Sequence, residues 1–115
     1  MRIISWFKKK LGLDKKENKY KLVLINGNEE VVIKPNCLYL EKRGDKNRWV
    51  YLKCPCKCNE TISINLMKSA YPNWNIRINN GDNVTLYPSV DKTTGCKSHF
   101  FIRNSTIVWA RSLPI

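Results

Sequence analysis

The sequence predicts a small, mainly β, single-domain protein, a β-sandwich or barrel preceded by a short N-terminal amphipathic helix. Short runs of alternating apolar and polar residues recur from residue 20 onward, and Asn- and Gly-rich turns separate them. The 115 residues, of which 43% are hydrophobic, provide enough apolar material for one core. Two full domains do not fit this length.

The N-terminal segment has a different pattern from the rest of the chain. Ile3, Phe7 and Leu11 recur at near-helical spacing with lysines between them, and the charged segment DKKENK follows. This predicts a short amphipathic helix and a charged linker over residues 1–19. An all-β domain is predicted over residues 20–115.

Turn signals define the strands of the predicted β domain. The segment Asn26-Gly27-Asn28 is typical of a hairpin turn, because Asn and Gly tolerate a positive φ. Further turns are predicted at Arg43-Gly44-Asp45, around Gly81 and at Asn104-Ser105. In chain order, the predicted strands are 20–25, 31–34, 37–41, 49–53, 61–66, 74–78, 84–87, 100–103 and 107–110.

The chain is strongly basic, with a net charge of +12 and a pI near 9.7. The charge is spread along the sequence, because residues 1–19 carry +5, residues 20–53 carry +3 and residues 54–115 carry +4. Nucleic-acid modules concentrate basic residues on one face, so we expect weak nucleic-acid binding without specificity. The sequence has no apolar run that predicts a membrane span, and a cytoplasmic location is expected.

Four cysteines and the single histidine form two clusters that favour a metal site. Cys54, Cys56 and Cys58 lie within one loop, and Cys96 precedes His99 by three positions. Zinc binds four N or S ligands in tetrahedral geometry, and two such loops supply them. An iron–sulfur centre and free buried thiols are the alternatives. Cys37 lies alone in a predicted strand and is expected to be a small buried apolar residue.

The five candidate ligands allow two arrangements with different functional consequences. If His99 and three cysteines bind the metal, the site is structural and the imidazole has no further role. If Cys54, Cys56, Cys58 and Cys96 all bind, His99 is free beside a rigid loop and is a candidate general base. Histidine suits that role because its ordinary pKa of about 6.5 lets it accept a proton at neutral pH.

A catalytic His99 requires a nucleophile close by, and two serines are candidates. Ser98 is adjacent, but neighbouring side chains of an extended chain point to opposite faces. Ser89 follows a predicted strand and a proline, and the chain after it has room to fold back toward His99. Candidate orienting groups for the histidine are Asn59, Glu60 and Asp91. Trp74 and Trp109 are expected to be core residues rather than binding platforms.

A set of short motifs runs through the predicted β domain in a fixed order. They are Cys54-Pro55-Cys56-Lys57-Cys58, Asn65-Leu66, Trp74, Thr85-Leu86-Tyr87-Pro88-Ser89, Gly95-Cys96-Lys97-Ser98-His99-Phe100-Phe101-Ile102 and Ile107-Val108-Trp109. Together these motifs resemble the BubE family of bacterial ubiquitin-like conjugation (Bub) operons. The resemblance covers about residues 20–110. The family usually has glycine at the positions of Lys57 and Asn59.

The resemblance implies a function and a role for each candidate site residue. It implies a serine-type peptidase that processes or deconjugates a ubiquitin-like protein, with Ser89 as nucleophile and His99 as base. One structural zinc held by the four cysteines fits the same interpretation. The partners implied are the ubiquitin-like protein and the E1-like and E2-like enzymes of the operon, in bacterial antiphage defence. The alternative is a non-catalytic zinc-binding adaptor of that pathway.

Overall fold

The computed structural model describes residues 19–27 and 29–110, and this part of the chain is built from nine β-strands without a helix. The strands are β1 (Lys21–Asn26), β2 (Cys37–Arg43), β3 (Lys46–Lys53), β4 (Thr61–Asn65), β5 (Asn75–Asn79), β6 (Asn83–Tyr87), β7 (Val90–Asp91), β8 (His99–Arg103) and β9 (Thr106–Trp109). The prediction of a mainly β protein is confirmed. The helix predicted within residues 1–19 lies outside the described residues, apart from Lys19, which bridges to Thr106.

The strands form a four-stranded, a two-stranded and a three-stranded sheet. Their orders are β1-β2-β3-β4, β5-β6 and β7-β8-β9, and every pairing is antiparallel except that of β1 with β2. Burial alternates along β3 and shows which face of the first sheet is turned to the core. Val50 and Leu52 are buried on that face, whereas Trp49 and Tyr51 are half-buried on the other.

The hairpin predicted around Asn26-Gly27-Asn28 is wrong. Residues 31–34 form no strand, and β1 instead pairs in parallel with β2, with Lys21 opposite Cys37. Parallel pairing requires the chain to return to the same end of the sheet before the next strand starts, so residues 27–36 serve as a crossover connection. Val32, which the predicted hairpin would have placed in a sheet, is 78% exposed.

All three sheets contribute to one hydrophobic core. Buried side chains come from β2, β3 and β4 of the first sheet, from β6 of the second and from β7 and β8 of the third. Examples are Leu40, Val50, Ile64, Val84 and Phe100, each at most 1% exposed. The two smaller sheets are therefore fixed against the larger one by packing as well as by chain connection.

The turn between β8 and β9 connects the third sheet to the second by hydrogen bonds to β6. Ser105 is buried, its backbone N–H donates to the Val84 carbonyl, and its hydroxyl accepts from the Val84 N–H at 2.9 Å. The Asn104 N–H donates to the Thr85 hydroxyl at 2.9 Å. Both turn residues have positive φ, as a tight hairpin turn requires. These bonds hold β8, and therefore His99 at its start, in a defined position relative to β6.

Candidate functional site

The loop between β3 and β4 carries three of the candidate ligands. The Cys54 N–H donates to the Glu60 carbonyl at 2.8 Å, and the Lys57 N–H donates to the Cys54 carbonyl at 3.1 Å. These bonds continue the β3–β4 ladder by one pair and then close a tight turn. Cys54 is 3% exposed at the base of this loop.

Lys57 and Asn59 both adopt the left-handed backbone that favours glycine. Their φ angles are 71° and 73°. A non-glycine residue loses about 1–2 kcal/mol in this conformation, and Asn tolerates it better than Lys. These two non-glycine positions therefore have a glycine-like backbone, which lets the loop turn tightly between its cysteines.

The second loop joins β7 to β8 and brings Cys96 to the first. The Lys97 N–H donates to the Thr94 carbonyl at 3.2 Å, which forms the turn that presents Cys96. Gly95 has a φ of 65°, and a Cβ at this position would lie 3.2 Å from a Glu60 carboxylate oxygen. Glycine is favoured here because the backbone angle strains other residues and a Cβ would press on the Glu60 carboxylate.

The four cysteines meet at one point. The sulfur atoms of Cys54, Cys56, Cys58 and Cys96 all lie within 4.8 Å of one another. The Cys54 sulfur is 3.4 Å from that of Cys56 and 3.5 Å from that of Cys96. Sulfur atoms in a tetrahedral zinc site with Zn–S bonds of about 2.3 Å lie about 3.8 Å apart, so this cluster fits a metal ion of that kind. His99 is not a member of the cluster.

The cysteines differ in their readiness to form thiolates. Burial raises the pKa of the Cys54 thiol to about 12, and the Ser98 hydroxyl lowers the pKa of the Cys96 thiol to about 6. Without a metal, the Cys96 thiol therefore ionises more readily than the Cys54 thiol. A cation that binds all four sulfurs must displace the Cys54 proton, so binding releases protons and strengthens as the pH rises.

Ser98 is part of the cysteine cluster and not of the site around His99. Its hydroxyl lies 3.1 Å from the Cys96 sulfur and 3.5 Å from the Cys54 sulfur, and the residue is buried. The expectation that Ser98 and His99 point to opposite faces agrees with this placement. Ser98 is therefore a poor candidate nucleophile and a good hydrogen-bond partner for the sulfur ligands.

We expect Ser98→Ala to lower metal affinity by about 10–100-fold, because a hydrogen bond to a ligand is lost without loss of the ligand. Competition with a chromophoric zinc chelator measures this change. Ser69→Ala, at an exposed position in the loop after β4, is the matched control and should leave the affinity unchanged. An unaltered affinity in Ser98→Ala would show that the hydroxyl does not support the ligands.

Ser89 and His99 lie in direct contact. The Ser89 Oγ is 2.8 Å from the His99 Nε2, which is the distance of a good hydrogen bond. Ser89 is half-buried just before β7, and His99 is exposed at the start of β8. In the tautomer that carries its proton on Nδ1, the imidazole accepts the serine hydroxyl proton at Nε2. This contact supports the sequence-based choice of Ser89 over Ser98 as candidate nucleophile, which stays a prediction.

One member of the cysteine cluster, Cys96, lies in the loop that connects the two strands next to this pair. Ser89 precedes one arm of the β7–β8 hairpin, His99 begins the other arm, and Cys96 is in the loop between them. A cation bound by Cys96 and the first loop would therefore fix the hairpin that holds the serine and the histidine together, without contacting either side chain.

Trp74 and Asn65 support Ser89, a role that the sequence analysis missed. The Trp74 indole N–H donates to the Ser89 carbonyl at 3.1 Å. The Asn65 carbonyl accepts from the Trp74 N–H at 2.8 Å, and its side chain binds the backbone of Met67 and Pro72 in the loop between β4 and β5. Trp74 is partly buried against the core, as predicted, whereas the prediction of a core position for Trp109 is wrong, because this side chain on β9 is 50% exposed.

Cys37, expected to be buried, is only half-buried and lies outside the cluster as a free thiol.

Within residues 19–27 and 29–110, no helix has the length and apolar character needed to cross a membrane. The orienting candidates Asn59 and Glu60 both follow Cys58 in the first cysteine loop.

Comparison with known proteins identifies one family. A family model described as a bacterial ubiquitination-like system serine protease, BubE, matches residues 25–110, a segment that contains the four cysteines, Ser89 and His99. Neither the curated proteins nor the solved structures contain a match to the chain. The match covers about three quarters of the sequence, and the chain therefore belongs to the BubE family of serine proteases of a bacterial ubiquitination-like system.

Proposed function

We propose that the protein is a zinc-stabilised serine peptidase that cleaves after the C-terminal tail of a bacterial ubiquitin-like protein, and so processes its precursor or releases it from conjugates. The observation that carries this proposal is the 2.8 Å contact between the Ser89 Oγ and the His99 Nε2. Membership of a family described as serine proteases supports the reaction class.

Ser89 and His99 provide the two groups that acyl transfer needs. The Ser89 Oγ attacks the carbonyl carbon at the end of the tail while its proton passes to the His99 Nε2. The imidazolium then gives this proton to the leaving amine, the C–N bond breaks and an ester to Ser89 remains. His99 next takes a proton from a water molecule, which attacks the ester, and the returned proton restores the Ser89 hydroxyl.

The cysteine cluster has a structural role in this proposal. The four cysteines would hold one zinc ion. When bound, this ion cross-links the two loops and takes no part in the reaction. Cys96 fixes the loop between the arms of the β7–β8 hairpin, so the zinc site maintains the approach of Ser89 to His99. His99 is not a member of the four-cysteine group, which agrees with this division between structure and catalysis.

The expected partners are a ubiquitin-like protein and the E1-like and E2-like enzymes of the same pathway, in the bacterial cytoplasm. The net charge of +12 favours encounter with an acidic partner surface, and this attraction weakens as salt is added.

The proposal is tested with a fusion of the operon's ubiquitin-like protein to a reporter domain through its C-terminal tail. We expect the purified protein to cut this fusion, with product masses that place the cut directly after the tail. A fusion that lacks the last tail residues should remain intact. Tight binding of the ubiquitin-like protein without any cleavage would instead support a zinc-binding adaptor and would contradict the peptidase.

A further inference from the structure

His99 has a second ring nitrogen whose orientation matters for the reaction proposed above. Its Nε2 contacts Ser89, and among residues 19–27 and 29–110 no group is hydrogen-bonded to its Nδ1. A general base of this kind works best when a carboxylate fixes the Nδ1–H tautomer and stabilises the imidazolium. The question is which carboxylate of this chain can do so.

Asp91 lies directly across the sheet from His99. The register of β7 and β8 pairs Asp91 with His99 and Val90 with Phe100. The Lys92 N–H donates to the Ser98 carbonyl at 2.8 Å, so the hydrogen-bonded pairs flank Asp91 and His99, which form a non-hydrogen-bonded pair. Cα atoms in such a pair lie about 4.5 Å apart and their side chains are on the same face, closer than at any other cross-strand position.

Ser89 contacts the ring from the chain segment just before β7. It lies two residues before Asp91, and its Oγ meets the His99 Nε2. Val90, between Ser89 and Asp91, is buried in the core, whereas Asp91 and His99 are both exposed, which places the Asp91–His99 pair on the outer face of the hairpin. Because Ser89 engages Nε2, Nδ1 is the ring nitrogen that remains for the carboxylate.

The other acidic candidate is already engaged. The Glu60 carboxylate forms an ion pair with the Lys92 ammonium at 2.6 Å and raises the pKa of Lys92. Glu60 also packs against Gly95 in the cysteine cluster loops. Glu60 thus neutralises Lys92, the cation next to Asp91 in sequence. The Asp91 side chain is exposed, and its carboxylate has no hydrogen bond or ion pair within the described part of the chain.

The remaining side chains around the imidazole are consistent with this arrangement. On β8, the ring of Phe101 lies 6.1 Å from that of His99, and the Arg103 guanidinium stacks 4.5 Å from the Phe101 centroid. On the β9 side, the Ala110 N–H donates to the His99 carbonyl at 2.9 Å and offers no charged group. Asp91 is therefore the negative group that faces His99 from the strands beside it.

We infer that Asp91 is a positioning residue for His99, holding the Nδ1–H tautomer and thereby directing Nε2 to Ser89. The role of His99 as general base rests on the proposed peptidase, whereas the pairing of Asp91 with the imidazole does not depend on it. The two are therefore tested separately.

NMR tests the pairing without any substrate. The chain has one histidine, so its ring signals in the zinc-loaded protein are assigned without ambiguity. Asp91→Asn removes the charge and keeps the shape, and we expect the nitrogen chemical shifts of the ring to show a loss of the Nδ1–H tautomer. Asp91→Glu should retain much of the Nδ1–H tautomer. Asp45→Asn, in the β2–β3 turn, should leave the tautomer unchanged.

Kinetics with the ubiquitin-like fusion then test the consequence. We expect Asp91→Asn to lower kcat by about 10²-fold with little change in KM. An unchanged ring tautomer and an unchanged kcat in Asp91→Asn would overturn the inference. A changed tautomer in a protein that cleaves no fusion would support the pairing and contradict only the peptidase.

Discussion

Ser89→Ala is expected to reduce kcat/KM for a ubiquitin-like fusion by about 10³-fold or more. The serine oxygen forms the covalent intermediate, and alanine has no atom that can replace it. The fold should be preserved, because the substitution removes one atom from a half-buried residue whose carbonyl remains bound to Trp74. Progress curves at substrate concentrations well below KM measure the change.

The control for this variant is Ser69→Ala, which removes a hydroxyl from an exposed loop and should retain full activity. Zinc content and melting temperature should match wild type in both variants. Wild-type cleavage by Ser89→Ala would eliminate Ser89 as the nucleophile even if the protein proves to be a peptidase.

Removal of the metal is expected to destabilise the domain by at least about 3 kcal/mol, a fall of about 12 °C or more in the melting temperature. An ion bound by the four sulfurs, which lie within 4.8 Å of one another, would link the two loops, and its removal would break that link. Chelation followed by calorimetry measures this change. Cleavage activity should be lost in parallel, because the loop between Ser89 and His99 contains Cys96.

Cysteine variants provide the matched comparison for this experiment. Cys56→Ser should reproduce the effect of chelation, whereas Cys37→Ser should keep about one zinc per chain, because Cys37 lies outside the cluster. A chelated protein that melts at the wild-type temperature would contradict a structural role for the metal. Iron with visible absorption in the purified protein would contradict zinc.

Periodicity predicted most of the strands because it reports burial directly. Val50, Leu52, Ile62 and Ile64 alternate with more exposed residues, and each is buried in the structure. Periodicity does not report which strands pair, so it could not predict the parallel pairing of β1 with β2. The turn signal at Asn26-Gly27 is local, and only the packing of the whole sheet decides which strand occupies the position beside β2.

The candidate site could be predicted to the extent that it depends on rare residues. Four cysteines in two clusters indicated one metal site, and a single histidine limited the choice of base. β7 was missed because two residues carry no periodic signal, although this strand sets the register of Asp91 with His99. The roles of Trp74 and Asn65 depend on hydrogen bonds to backbone groups, which their own sequence neighbourhoods do not indicate.

In the proposed site, four cysteines hold the metal, and His99 is free to accept the proton of the Ser89 hydroxyl. The most direct test measures zinc content and cleavage on the same preparation of His99→Ala. We predict about one zinc per chain and a melting temperature close to wild type, together with loss of cleavage by about 10³-fold or more. Loss of zinc or of folding in this variant would place the imidazole on the metal and contradict the account.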